Sequence, residues 1–322
     1  MSQPSQGNGF RRPCTPVTSA YLYAPMFFLP GSPEDQIYRE YAKRLGHTTE
    51  VTAPVRTSLA DLADRYDGFF LDSYGVLNRA GEALPFAAEG VAWLKSQGKT
   101  VRVLTNNSAL SEDENRKHLN HLGIPLEEGD VLCSGTLLAS LVRDRSIQGP
   151  AFFLGLPGGR AYLQAAGLEE TQDPSKAKVV VLCSTRGYRM RRIAQARQAL
   201  AGGEVPLIVL NPDAVAPREG GVMFRVSGVT ARSLQRQTGC PVHLLGKPFS
   251  SMFEMALART GLERSRCLMI GDTLATDILG ARCAGFGAAL VLTGVTPEAT
   301  AMELARDQKI WPDFLLPDLS AP

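Results

Sequence analysis

Residues 68–77 read GFFLDSYGVL. The apolar run Gly68–Leu71 stops at a carboxylate, Asp72, and the chain then turns at Ser73-Tyr74-Gly75. A strand with one face in water would alternate polar and apolar side chains, so an unbroken apolar run predicts a strand buried on both faces. The same pattern recurs along the chain. Thr100–Leu104 (TVRVL) ends at Thr105-Asn106-Asn107, Asp130–Cys133 forms a third short strand, and Cys267–Ile270 (CLMI) ends at Gly271-Asp272. Between these strands Ala87–Gln97, Glu112–Leu122 and Thr136–Arg143 carry apolar residues at helical spacing. Another helix runs from Asp272 to about Ala284, before a strand at Ala288–Leu292. Apolar strands separated by helices predict an α/β fold with a parallel sheet covered on both faces.

Working outward, the stretch from about Gln148 to Cys240 has three strands of its own, AFFLGL, VVVLCS and VPLIVL. They predict a second α/β unit, residues 148–240, inserted into a first unit made of residues 65–147 and 241–322. Residues 1–64 form an N-terminal extension, expected to be partly disordered because its first residues are polar and rich in Gly and Pro. Within it Asp35–Leu45 has a weak helical pattern, and Leu59, Leu62 and Ala63 suggest a short helix with Ser58 as N-cap. Tyr21–Pro30 (YLYAPMFFLP) is apolar but interrupted by Pro25, and no run reaches the about 18 residues of a membrane span. It reads as part of the extension packing on the core, in preference to a poor signal peptide.

The 322 residues suffice for about two domains at ~150 residues each. With 44% hydrophobic and 20% charged residues the composition is that of a globular protein. Lys plus Arg number 34 against 32 Asp plus Glu, a net charge of +2, which argues against a dedicated nucleic-acid binder. The six cysteines, Cys14, Cys133, Cys183, Cys240, Cys267 and Cys283, are scattered singly. That usage fits reduced thiols and a cytoplasmic location rather than disulfides or zinc.

In an open parallel sheet, ligands bind beyond the carboxyl ends of the strands, and four groups of polar residues are expected there. Asp72 suits a nucleophile or a metal ligand, and equally a turn cap. Thr105-Asn106-Asn107 can hold an anion or simply form a turn. Lys247, in LLGKPF, is rigidly flanked by Gly246 and Pro248, although most lysines lie on the surface. Asp272 and Asp277, in GDTLATD, are two converging carboxylates that suit Mg²⁺ or cap a helix N-terminus.

Taken in order, these segments resemble the haloacid dehalogenase (HAD) superfamily: LDSYGVL its first motif, LTNNS its second, GKP its third and MIGDTLATD its fourth. LNPD at Leu210–Asp213 and HLLGKPFSSMFEMAL at His243–Leu257 are similar to the class IIA, NagD-like phosphatases. The resemblance spans roughly Arg65–Gly294. It implies an α/β fold with a HAD-type Rossmann-like parallel-sheet core and an inserted class IIA (C2) α/β cap domain. Asp72 would be the nucleophile, forming an aspartyl-phosphate. Ser73, Thr105, Asn106 and Lys247 would hold the phosphate. Mg²⁺ would sit on Asp72, the Tyr74 carbonyl and Asp272, with Asp277 supporting through water. Asn211, Asp213 and Arg186 would touch the substrate from the cap.

The family's phosphatases have a second Asp two residues after the nucleophile, and here that residue is Tyr74. A phenol with pKa near 10 is a poor base at neutral pH, though it can still donate a proton or hydrogen bond. Three readings follow: a slow Mg²⁺-dependent phosphatase acting on a small phosphorylated metabolite; a nearly inactive phospho-ligand binder; and a metal-independent haloacid dehalogenase, which also carries Tyr at this place. Asp272 and Asp277 weigh against the last. A closing cap would exclude nucleic acid and phosphoproteins, and no membrane partner is expected. The extension is expected to cover the core or to mediate a homodimer. Arg186, Arg189, Arg191 and Arg192 read mostly as a solvated helix face, with Arg186 the one able to reach an anion. Leu154–Arg160 (LGLPGGR) reads as a turn before a helix.

Overall fold

A computed structural model describes residues 31–47, 51, 53–185, 190–217 and 223–322. Tyr21–Pro30, Cys14, Arg186 and Arg189 lie outside the described residues. The larger sheet has seven strands in the spatial order Val55–Arg56, Phe314–Leu316, Gly287–Val291, Cys267–Gly271, Gly68–Leu71, Thr100–Thr105 and Val131–Cys133. All of its pairings are parallel. Gly68–Leu71 and Cys267–Gly271, at the centre, are buried at every position. Their unbroken apolar runs are explained by helices on both faces.

From Gly68–Leu71 the chain winds to one side through Thr100–Thr105 and Val131–Cys133. It later returns to the other side of Gly68–Leu71, through Cys267–Gly271 and Gly287–Val291. Such a reversal of strand order opens a crevice at the carboxyl ends. Register decides what lines it. Leu71 pairs with Ile270 and with Val103, so Asp72, Asp272 and Thr105 all emerge at that crevice.

A second sheet lies between the halves of the first in sequence. Its five strands, in the order Val242–Leu244, Leu207–Val209, Val179–Leu182, Ala151–Leu154 and Glu170–Thr171, are also parallel. Alternate residues split between its two faces. Phe152, Val180, Leu182, Leu207 and Val209 form a core with Ala196 and Leu234, while Phe153, Val181 and Ile208 join the hydrophobic cluster of the larger sheet. A small antiparallel hairpin, Val215–Pro217 with Met223–Arg225, extends from this unit.

Several elements differ from the sequence reading. The edge strand Val55–Arg56 and the strand Phe314–Leu316 were not foreseen, being too short to show periodicity. Asp277 was expected on the first turn of an α-helix. It lies instead in a π-helical turn, Leu274–Ile278, that precedes the α-helix Leu279–Ala284. Arg192 does not belong to a solvated face: its guanidinium lies 4.1 Å from the Phe152 ring centroid and Nη2 donates to the Phe153 carbonyl at 2.9 Å. The helix Pro33–Arg44 does form, with Ser32 accepting from Asp35 N–H at 3.1 Å and Pro33 at its first position. Ser58 caps Leu59–Ala63, and a 3₁₀ turn at Pro157–Gly159 leads into Arg160–Ala165. No helix among the described residues is long and apolar enough to cross a membrane.

The helix Ser250–Thr260, which follows Lys247, packs on Leu279–Ala284 through Phe253. That ring is fully buried, edge-on to Phe286 at 5.4 Å, and lies where a Cβ at Gly280 would be. Phe253→Ala is expected to destabilise the fold by about 3–5 kcal/mol. Urea unfolding should show the midpoint falling at unchanged slope.

Candidate active site

Asp72 prolongs the central strand by one ladder bond, its N–H donating to the Ile270 carbonyl at 2.9 Å. The chain then folds back on itself, with Leu77 N–H donating to the Ser73 carbonyl at 2.9 Å and Gly75 N–H to the Asn78 carbonyl at 2.8 Å. Gly75 has a φ of +80°, and a Cβ there would collide with the Asp272 carboxylate; only glycine satisfies both conditions. Gly294 approaches the same Asp272 carboxylate as closely. Against these glycines Asp272 accepts from Val295 N–H at 2.8 Å and from the Thr273 hydroxyl at 3.0 Å. The turn is fastened to the next loop by the Thr293 hydroxyl, which donates to the Gly75 carbonyl at 2.7 Å.

Lys247 is 2% exposed, and its Nζ lies 2.7 Å from Asp72 Oδ1 and 2.7 Å from Asp277 Oδ1. Burial alone would favour the neutral amine, but the charges of Asp277 and Asp72 outweigh it and hold the ammonium protonated well above the usual lysine range. The Asn106 side chain fixes the Lys247 backbone from both ends, accepting from its N–H at 2.8 Å and donating to its carbonyl at 2.9 Å. Asp277 Oδ2 in turn accepts from Thr273 N–H at 3.1 Å.

Asp72, Asp272 and Asp277 offer oxygens within 4.8 Å of one another, a grouping able to hold a metal ion. Burial, with the charges of Asp72 and Asp277, pushes the Asp272 carboxyl well up. Asp277 is pushed up to about 6, because burial and the Asp72 charge exceed the opposing pull of Lys247. One ammonium pairs with two of these three carboxylates, Asp72 and Asp277, so with Asp272 ionised negative charge is in excess. An oxygen-only set of this kind fits a hard divalent cation such as Mg²⁺.

A cavity of about 820 Å³ opens beside these groups, lined by Asp72, Tyr74 and Lys247 together with Asn211, Asp213 and Phe224. Asp213 is joined to the core residues there: Oδ1 accepts from Asn106 Nδ2 at 2.8 Å. Its loop is closed by Asp213 N–H donating to Asn211 Oδ1 at 2.9 Å, a local turn that Asn and Asp favour. Burial pushes the Asp213 carboxyl up to about 7, with Asn106 and Lys247 pulling down and Asp72 and Asp277 pushing up.

The structure therefore gathers Asp72, Tyr74, Thr105, Asn106, Lys247, Asp272, Asp277, Asn211 and Asp213 around one crevice. Thr105 is buried and its hydroxyl accepts from Asn107 N–H at 3.1 Å. Ser73 N–H donates to Asp72 Oδ1 at 2.7 Å, and its hydroxyl lies 3.4 Å from Asn78 Oδ1. Three contributors were missed from sequence. Val295 acts through its backbone N–H, which no side chain advertises. Asn78 pairs with Tyr74 in an isolated β-bridge, a contact across a tight local turn that leaves no periodic signal. Tyr38, from the N-terminal helix, lines the cavity.

Residues 69–169 match the family model of the haloacid dehalogenase-like hydrolases, and residues 244–322 a second HAD-hydrolase-like model. Bovine chronophin is 30% identical over 279 residues, covering 82% of this chain and 94% of its own. The sugar-phosphatase AraL of Bacillus subtilis is 29% identical over 253 residues, covering 77% and 89%. Among solved structures, a possible sugar phosphatase from Cytophaga hutchinsonii superposes with a TM-score of 0.75 at 25% identity, over 84% of this chain and 100% of its own. The p-nitrophenyl phosphatase of Archaeoglobus fulgidus does so at 0.71 and 28%, over 79% and 97%. The chain belongs to the haloacid dehalogenase-like hydrolases, in their NagD-like group.

Proposed function

We propose that this hydrolase is a Mg²⁺-dependent phosphatase of small phosphorylated metabolites that works through an aspartyl-phosphate on Asp72. The observation that carries the reading is the Lys247 ammonium, 2.7 Å from both Asp72 and Asp277, beside a third buried carboxylate. That arrangement suits the attack of one carboxylate on a phosphate held by a cation. Phosphatase names among the similar proteins support it, as does the order of the motifs.

Asp72, Asp272 and the Tyr74 carbonyl would hold Mg²⁺, with Asp277 behind them; when bound, the ion neutralises phosphate charge so that an anionic nucleophile can approach. An Asp72 oxygen forms a bond to phosphorus while the bond to the leaving oxygen breaks. Lys247, Ser73, Thr105 and the Asn106 N–H hold the equatorial oxygens. Water then attacks the aspartyl-phosphate, releasing phosphate and restoring Asp72. Residues 65–147 and 245–322 act as the core and 148–244 as the cap, the boundary expected at residue 240 moving because strand Val242–Leu244 pairs with Leu207–Val209 of the smaller sheet; the cap brings Asn211 and Asp213 to the substrate and keeps bulk water out. The five free thiols among the described residues, four of them buried, fit a reducing cytoplasm.

Tyr74 makes the reaction slow. It stands where the family has its proton-transferring Asp, and loss of such a group costs about 10²–10⁴-fold. The same residue favours a second reading, a phospho-ligand binder with little turnover.

Hydrolysis of 4-nitrophenyl phosphate tests both. Slow, Mg²⁺-dependent turnover is expected from the wild type, none from Asp72→Asn, and a gain of about 10²-fold or more from Tyr74→Asp. Ligand binding without hydrolysis by either the wild type or Tyr74→Asp would favour the binder. Metal-independent chloride release from a 2-haloacid would favour a dehalogenase. A second experiment concerns Asp213. Because its carboxyl is pushed up from 3.8 to about 7 in the folded chain, the stability it contributes is fully present below 3.8 and is lost as pH rises through about 7. Asp213→Asn keeps an acceptor for Asn106 without the charge. In EDTA it should be more stable than wild type at pH 8, on the order of 1–2 kcal/mol in a site partly open to solvent. The difference should shrink toward pH 5. Parallel pH profiles of thermal unfolding would contradict the assignment.

A further inference from the structure

The helix Pro33–Arg44 precedes the family match, which begins at residue 69, yet it touches the cavity. We propose that it is a strap that holds the loop Asn211–Ala214 over the nucleophile, with Tyr38 and Tyr41 as positioning residues; the kinetic part of this inference rests on the phosphatase reading.

Two buried hydrogen bonds carry it. The Tyr41 hydroxyl donates to the Pro212 carbonyl at 2.8 Å, and Ala214 N–H donates to the Tyr38 hydroxyl oxygen at 3.1 Å. Tyr38 and Tyr41 are three residues apart and so share one face of the helix, and their bonds grip the backbone on either side of Asp213. That residue then accepts from Asn106, whose side chain also sets the Lys247 backbone. The strap, the cap loop and the catalytic lysine are thus joined by one chain of hydrogen bonds.

The helix is anchored to both units. Its Tyr41 ring lies edge-on to Phe249, two residues beyond Lys247, at 5.2 Å. Arg39 pairs with Asp307 at 2.9 Å and donates to its carbonyl at 3.2 Å, tying the helix to the larger unit. On the other unit Glu34 pairs with Arg225, and Glu40 with Arg232 at 2.7 Å. An element fixed to both halves restrains their relative position. Exposed ion pairs contribute little singly, whereas a buried N–H that loses its acceptor carries the full desolvation cost. The two tyrosine hydroxyls are therefore the sensitive points.

The test uses the full chain with Tyr38→Phe and Tyr41→Phe. Hydrogen exchange at the amides of Asp213 and Ala214 is expected to quicken roughly tenfold, while exchange in the central strands of the larger sheet stays as in wild type. With 4-nitrophenyl phosphate and Mg²⁺, kcat/KM should fall roughly 5- to 50-fold, mainly through KM. A merely structural role would instead lower the melting temperature and quicken exchange throughout, with KM unchanged, and would overturn the proposal. Wild-type exchange at Asp213 and Ala214 in both variants would overturn it as well. Exchange needs no turnover, so an inactive wild type would count against the phosphatase reading while the strap remained tested. Should the tyrosine variants not fold, both ion pairs to the smaller unit replace them: Arg225→Glu with Arg232→Glu turns the two contacts into like-charge repulsions and should quicken exchange at the same amides, and adding Glu34→Arg with Glu40→Arg should reverse it. No difference among these proteins would refute the strap.

Discussion

A buried ammonium, Lys247 Nζ, sits 2.7 Å from Asp72 and 2.7 Å from Asp277, and much of the surrounding structure serves to keep it there. A lysine stays charged out of water only if opposite charges replace the lost hydration. Asp72 and Asp277 supply those charges, and Asn106 clamps the lysine backbone so that the ammonium cannot retreat to solvent. The helix that follows Lys247 is in turn packed through Phe253 against the helix that follows Asp277. The charge arrangement and the hydrophobic packing are therefore one design.

The same constraint explains the electrostatic imbalance. One ammonium is set against Asp72, Asp272 and Asp277, and burial drives up the carboxyls of Asp272 and Asp277. Such a cluster is stable only if a proton or a cation takes up the remaining negative charge. Gly75 and Gly294 show how closely the backbone is drawn around Asp272, since a side chain at either position would displace it. Tyr74 lies in the middle of that turn and lines the cavity beside Asp72. On the proposed mechanism, its presence would separate the ability to bind a phosphoryl group from the ability to release it quickly.

Much of the site was legible in the sequence. Asp72, Thr105, Lys247 and Asp272 are conspicuous because each stands where an apolar run gives way to polar residues, and parallel sheets present such positions to ligands. Asn106 was legible as a site residue but not in its observed work. Its side chain is committed to Lys247 and Asp213, contacts made across great distances in sequence. Arg192 was misread as solvated because a charge pattern on a helix does not reveal that an aromatic ring and a carbonyl lie beneath it. The short strands Val55–Arg56 and Phe314–Leu316 left no periodic trace, since they exist only through pairing with a neighbour.

By itself, then, the sequence determined the alternation of buried strands and helices, and with it which polar residues fall at strand ends. Those are local properties: an apolar run must be buried, and the first polar residue after it must emerge. Only the tertiary structure decided which ends meet. The register of Gly68–Leu71 against Cys267–Gly271 brings Asp72 beside Asp272, the loop after Leu244 delivers Lys247 to both acidic partners, and a helix from the N-terminal extension closes over Asp213 through Tyr38 and Tyr41. Such meetings depend on packing between distant segments, where the free energy of burial rather than any local preference selects the partner.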